Sequence, residues 1–385
     1  MHPHYIYIIM WKYIVLFFIL FFSSCSKNKT ASNDGSIMLH VPTETNENYF
    51  RDHFELESIV PIETANSFLI SSIDKVIKIK DDVLLLSKDD KTVSLINARS
   101  GQLKTYIHRV GNGPGESNRI IDVAFDEVLD HILIYNDYKK LLTFDLQGNF
   151  LSDDVQADAI YENMIYNNGE VIFYNKLKGY TCYPYAFKIY NLKDKEWKIS
   201  GSDKKIDFPI RSLGKQIVKS KRVWVNAPLD CKLYCLERNE LVPYYHLDIP
   251  IFELSDDLIE RAKSNPMELM TRISKDNIVY SVNSVRETDN HLIFHTNQND
   301  FLLLDKNKNE LHIDNFMFQD IFYLTPNDYF PHDGDDNSIL FIIPAERWIK
   351  EPELMSGIPT EWRKKVETFN ISEDDNSILL FFKEK

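Results

Sequence analysis

Three observations predict an all-β fold, a six-bladed β-propeller of four-stranded antiparallel blades with short helical insertions. One strand pattern occurs twice without gaps, weaker copies of it fill the later chain, and both ends of that region carry strand-like runs. The first copy is Ile73–Ile107 and the second is Ile120–Asp154, separated by the joint Arg109-Val-Gly-Asn-Gly-Pro-Gly-Glu116. At 385 residues the chain exceeds the size at which one core stops growing, so a repeat architecture or two domains are expected. Apolar residues at 44% and aromatics at 13% supply enough burial for a folded chain. With only 12 Gly, tight turns must often be made by Asn, Asp and Lys.

The chain begins with an address. Lys12 precedes the apolar run Tyr13–Phe22, and Ser23-Ser24-Cys25 follows, the layout of a secretory signal. The run is shorter than the roughly 20 apolar residues that span a bilayer. Its ending resembles the lipobox of bacterial lipoproteins, with Phe22 where Leu is commonest, and the resemblance implies lipidation of Cys25. Counting from Tyr5 leaves an uncleaved anchor as the alternative, and Met10 is a second possible start. The expected division is a signal peptide at 1–24, a flexible polar tether at 25–50 and the propeller at 51–385.

The repeat then runs in order. Leu84-Leu-Leu-Ser87 aligns with Ile132-Leu-Ile-Tyr135 and Leu292-Ile-Phe-His295. The next strand follows in step as Val93–Ile96, Leu141–Phe144 and Phe301–Leu304, each leading into a polar turn. Alternation is weak because a sheet stacked between two neighbours is buried on both faces. Val171–Tyr174 with Phe187–Tyr190 makes a third unit, carrying an insertion at Lys178–Pro184. Val223–Val225 with Leu233–Leu236 makes a fourth, and Ile339–Ile343 belongs to a sixth. Asp335-Asp-Asn-Ser-Ile-Leu340 recurs literally as Asp374–Leu379. Ser255–Ile273, divided by Pro266, and Ala345–Arg363 read as partly helical insertions. Pairing Phe54–Ile62 with Ile378–Phe382 would close the ring in a shared last blade and hide both edges. Counting the final echo as its own blade would give seven.

With these residues in view, the chain resembles the six-bladed β-propeller lipoproteins of Gram-negative envelopes, relatives of the NHL-repeat propellers. Val60-Pro-Ile-Glu-Thr64, Gly111-Asn-Gly-Pro-Gly-Glu116 and Glu373–Leu379 carry the resemblance, which extends from Phe54 to the C-terminus. The chain departs from it at Ser117-Asn118, where an aromatic is usual, and at Ser377, where Pro is common. The resemblance implies fold and envelope location, and brings no catalytic set.

Several motifs invite chemistry. The net charge of −14 disfavours nucleic acid, which needs clustered Lys and Arg. Gly111, Gly113, Pro114 and Gly115 form a structural crossover between blades; no Lys-Ser/Thr follows to make a phosphate loop. On strands, His291 and His295 stand about 13 Å apart, as do Cys231 and Cys235, too far to share a metal or a disulfide. Cys182, Cys231 and Cys235 are expected to be free thiols. Asp333-Gly-Asp-Asp-Asn337 has calcium-loop composition without EF-hand spacing and reads as a solvated turn. No cofactor is expected and no metal site is assigned.

Propeller ligands usually meet loops at the axial mouth. Arg109, Glu116, Arg119 and Arg211 fall on loops entering innermost strands, Arg286 lies near the fifth, and Tyr138 and Tyr180 occupy elbow loops. Planar donors and stacking rings favour binding over catalysis, with structural ion pairs as the competing role. The leading expectation is a lipid-anchored, periplasm-facing module that binds a protein or small molecule; Ser26-Lys-Asn-Lys-Thr30 lacks the acidic cluster thought to mark surface export. A calcium-dependent hydrolase using Glu116, Asn136 and Asp137, or a structural subunit of an envelope complex, are the alternatives.

Overall fold

The computed structural model describes residues 34–46, 48–157, 160–174, 187–200, 214–226, 232–248, 264–276, 279, 281–298, 301–314, 324, 326–351, 354 and 360–385. Cys25, Tyr180, Cys182, Arg211 and Cys231 lie outside them. Strands β1 (Ile37–His40) and β2 (Phe54–Pro61), with helix α1 (Tyr49–His53) between them, precede the first full blade. Blade 1 is β3 (Lys75–Ile79), β4 (Asp82–Ser87), β5 (Thr92–Asn97) and β6 (Leu103–Ile107). Blade 2 is β7 (Ile120–Asp126), β8 (His131–Asn136), β9 (Lys140–Phe144) and β10 (Phe150–Gln156). Blade 3 is β11 (Asn163–Asn167), β12 (Glu170–Tyr174), β13 (Phe187–Asn191) and β14 (Trp197–Ser200). Blade 4 is β15 (Ile217–Lys219), β16 (Val223–Val225), β17 (Lys232–Glu237) and β18 (Glu240–Asp248). After helix α2 (Pro266–Lys275), blade 5 is β19 (Val282–Glu287), β20 (His291–Thr296), β21 (Phe301–Asp305) and β22 (Glu310–Ile313). Strands β23 (Ser338–Ile343) and β24 (Ile378–Glu384) flank helices α3 (Ala345–Lys350) and α4 (Thr360–Val366).

Each full blade is an antiparallel meander whose first strand is innermost, and successive inner strands β3, β7, β11, β15 and β19 lie side by side. The fold is the six-bladed propeller that the repeat predicts. Hairpin turns are made largely without glycine: Lys80, Asp130, Asn168, Asn239 and Asn309 take positive φ in them. The core is divided into six apolar clusters, and each fills one seam between neighbouring blades. Leu84 and Leu86 pack toward blade 2, for example, while Val83 and Leu85 pack toward blade 6. Burial on both faces explains the unbroken apolar runs.

The ring closes as expected. β24 lies between β23 and β2, with Phe54 opposite Glu384 and Pro61 opposite Ile378. Glu384 fastens this strand end to blade 5, accepting from Thr288 Oγ1 (2.9 Å), Asn290 N–H and the His291 ring.

One feature differs from expectation. The stretch read as tether is structured from residue 37: β1 pairs in parallel with β18 as a fifth strand of blade 4, and Thr45 bridges Ile313 of blade 5. The N-terminal segment thus straps two blades before it completes a third. Pro266 breaks the helical stretch as expected: Ser264 is still helical, Asn265 is not, and Pro266 opens α2, where its missing N–H costs no helical bond. The part of that insertion from Ser255 to 263 lies outside the described residues.

Candidate functional site

Among the described residues the last blade holds three strands, and its inner segment leaves it. Tyr329 makes one bridge to Phe341, and Phe330 N–H donates to Leu340 O at 2.8 Å. Beyond Phe330 the chain crosses the axis. Asp333 pairs in parallel with Ile77 of blade 1, donating to Val76 O (3.0 Å) and accepting from Lys78 N–H (2.8 Å). One residue on, Gly334 N–H donates to Lys219 O of blade 4, on the opposite side of the ring, at 2.9 Å.

Basic side chains from three blades hold this segment. The Arg286 guanidinium has five N–H donors, and all five are used on it. Nε reaches Ser338 O (3.2 Å), Nη1 reaches His332 O (3.4 Å) and Gly334 O, and Nη2 reaches Asp336 O (2.7 Å) and its carboxylate. Lys75 Nζ lies 3.1 Å from Asp122 and 3.3 Å from Asp333, and also donates to Met164 O of blade 3. Burial opposes its charge, but the two carboxylates outweigh burial and raise its pKa. Lys215 Nζ donates to Pro331 O (2.9 Å) over the Phe330 ring; burial lowers its pKa to about 8, only partly offset by Asp333. Every blade therefore meets at a polar knot that fills the channel. Asp333, expected in a solvated turn, is 5% exposed and buried in this knot.

A Ser–His–Asp set sits here in the wrong geometry. Ser338 Oγ and Asp336 Oδ1 both approach His332 Nε2, at 3.2 and 3.3 Å, while Nδ1 has no partner among the described residues. A catalytic relay needs the carboxylate on one ring nitrogen and the hydroxyl on the other. Burial, with Arg286 alongside, pushes the His332 pKa down to about 4, so the ring is neutral. Burial favours protonated Asp336, yet His332, Arg286 and Lys78 hold its carboxyl well below the usual range.

Below the knot, where the inner strands end, lies a cleft of about 290 Å³. Ile77, Ile79, Ala124 and Phe125 form its apolar wall, and Tyr166, Lys219 and Gly334 contribute from three further blades. Charged pairs rim it: Lys219–Glu127 (2.6 Å), Lys80–Asp130 (3.8 Å) and the adjacent Lys78–Asp336 (3.3 Å). Asp335, also on the rim, is exposed and makes no ion pair among the described residues.

The residues anticipated as ligand contacts fall elsewhere. Arg286 is fully buried in the knot. Glu116 folds back on the joint, its Oε2 accepting from Gly113 N–H at 2.8 Å. Arg109 donates to Gly148 O (3.3 Å) and lies over the Phe144 ring, whereas Arg119 is exposed just before β7. Tyr138 is drawn to the joint through Asn112 and Asn118. Gly115, at φ +72°, packs against the Phe150 ring, and a Cβ there would stand 2.6 Å from it. Asn136 accepts from Lys140 N–H in its own turn, and among the described residues no three His, Cys, Asp or Glu side chains converge to hold a metal. His291 and His295 lie on β20, and burial lowers the His295 pKa to about 3. Cys235 is a buried free thiol, its pKa raised to about 11 by burial. Among the described residues no helix is long and apolar enough to cross a membrane.

The cleft therefore opens at the end of the axis opposite the loops that carry Arg109, Glu116, Arg119 and Tyr138. Its signal was nevertheless present: the gapless alignment sets Val128-Leu129 against Lys80-Asp81, an apolar pair where the other copy has a polar turn.

Fold and axis define a class, the closed six-bladed propeller with a polar knot on its axis and a cleft beside it. The chain belongs to the family described as Domain of unknown function (DUF4934), matched over residues 38–383. It is similar to BF0058 of Bacteroides fragilis NCTC 9343, described as an exported protein, with TM-score 0.71 and 19% identity over 91% of this chain and 99% of that one. A DUF4221-family protein from Bacteroides vulgatus gives TM-score 0.52 and 10% identity over 86% and 98%. At such identities the likeness shows the fold alone. No curated protein matches the chain.

Proposed function

We propose that this chain is a lipid-anchored binding propeller of the cell envelope, held through Cys25, facing the periplasm, and recognising a partner at the axial cleft. The observation that carries the binding role is convergence: inner-strand ends from blades 1 to 4 and the segment of blade 6 line one cleft, while the channel above it is filled. A filled channel leaves the face as the recognition surface. The anchor is supported by the apolar run ending in Ser23-Ser24-Cys25, and export by the description of BF0058.

Two measurements test the reading. Labelling with a palmitate analogue in a Gram-negative host is expected to mark the full chain and to fail with Cys25→Ser, which should also release the protein from membranes. Unchanged membrane retention in that variant would rule out the lipid anchor. For the cleft, a photo-cross-linker placed at Lys80 is expected to give adducts in intact cells, and one at exposed Lys193 on blade 3 is not. Equal labelling at both positions, or none at Lys80, would remove the cleft from consideration.

A further inference from the structure

Blade 2 carries the apolar member among the turns around the cleft. Its β7–β8 turn runs Asp126-Glu127-Val128-Leu129-Asp130, with Val128 72% and Leu129 62% exposed. The corresponding turns are Lys80-Asp81 in blade 1, Asn168-Gly169 in blade 3, Ser220-Lys221-Arg222 in blade 4 and Thr288-Asp289-Asn290 in blade 5. Two large aliphatic side chains in water are unfavourable, and nothing in the blade's own packing uses them. They are also held rigidly. Asp126 Oδ1 accepts from the N–H groups of Val128 (2.9 Å) and Leu129 (3.1 Å), and Glu127 is tied to Lys219 across the cleft. A preorganised turn loses little entropy when something covers it.

The neighbouring charges say what covers it. Of the carboxylates lining the cleft, Glu127, Asp130 and Asp333 each face a lysine, and Asp335 does not. The chain as a whole carries −14. We infer that the Val128–Leu129 turn and Asp335 form a docking site for an extended peptide segment of a partner protein that sets an apolar residue beside a Lys or Arg. The apolar residue packs on Val128 and Leu129, and the cation pairs with Asp335 at the rim. This rests on the cleft being the recognition face and adds the chemistry of the partner.

The test uses the whole folded protein and an array of short synthetic peptides combining Leu or Phe with Lys or Arg, set beside acidic and all-polar counterparts. Wild type should retain the basic–apolar peptides. Val128→Ser/Leu129→Ser should weaken them about tenfold or more. Asp335→Asn should weaken them about threefold and lower their salt sensitivity. Leu151→Ser, an exposed position on β10, should leave them unchanged. Unaltered thermal midpoints would show that the variants fold. No preference for basic–apolar peptides, or equal binding by the double serine variant, would overturn the inference. So would a silent array together with retention on phosphatidylglycerol vesicles, which would mark the turn as membrane-facing. Adducts at Lys80 with a featureless array would refute the peptide chemistry while sparing the cleft; loss of the Lys80 adducts would refute the cleft itself.

Discussion

The joint at Arg109–Asn118 and the axial segment at Tyr329–Ser338 are both turn-like in sequence and have opposite fates. The joint carries three Gly, two Asn and a Pro, the axial segment three Asp, a Gly, an Asn and a Pro, and both connect strands of the ring. The joint stays outside: Asn112, Gly113 and Pro114 are exposed, and its polar groups satisfy one another through Gly113–Glu116 and Asn112–Asn118. The axial segment goes inside, and its buried carbonyls and the carboxylates of Asp333 and Asp336 are met by Lys75, Lys78, Lys215 and Arg286 from other blades. A turn-like sequence is thus buried when distant cations meet it. Buried polar groups must find partners, and here the partners come from across the ring.

That contrast predicts its largest effect at Arg286. Arg286→Met leaves four carbonyl acceptors without their donor in the axis and removes one cation from Asp336. Truncating one side of a buried charged network costs about 3–5 kcal/mol. Urea unfolding is expected to show a loss of that size. A loss under about 1 kcal/mol would mean that the segment is held by its backbone bonds alone. In the joint, the largest effect is expected at Gly115→Ala. Its φ of +72° disfavours a side chain, and the new Cβ would press on Phe150. Left-handed strain and overpacking together suggest about 2–3 kcal/mol.

These two regions also mark what the sequence allowed. The repeat was legible because both faces of each blade are buried, so apolar runs stand out between polar turns; the closing pair was legible because both ends carry such runs. β1 was hidden: Ile37-Met-Leu-His40 is four residues in a polar stretch, and its partner β18 lies far along the chain. The inner segment of blade 6 was hidden more deeply. Asp333 reads as part of a solvated turn until Lys75, Lys215 and Arg286 are placed around it and its neighbours Pro331 and His332. The repeat gave the register of the inner strands but not which end of the axis is filled. The starts of those strands, with Arg109, Glu116 and Arg119 beside them, therefore look like the mouth, while the cleft lies at their ends.

Acid should act on the axis before the joint. His332 titrates near 4 in the fold, against about 6.5 when unfolded. Between those values the unfolded chain binds a proton that the native axis excludes. The stability that His332 contributes is whole above about pH 6.5 and falls away as the pH drops toward 4. At pH 5.5 the loss from one such group approaches about 1.4 kcal/mol. His332→Gln should flatten that part of the pH–stability curve, leaving a remainder from His295, whose pKa is also lowered, to about 3. Asp336, held below the usual carboxylate range, adds its loss only at lower pH. An identical slope in the variant would place the proton uptake elsewhere.

The smallest effect is expected at Glu116→Gln. Its carboxylate accepts one N–H, from Gly113, at a part-exposed site, and a glutamine oxygen can accept the same bond. A change within about 0.5 kcal/mol is expected, because a solvated hydrogen bond contributes little beyond what water offers. Peptide binding at the cleft should not change, since the joint lies at the other end of the inner strands. A stability loss above about 2 kcal/mol would show that charge holds the joint as it holds the axis. A change in binding without a change in stability would return the recognition surface to the loops where Arg109, Glu116 and Arg119 stand.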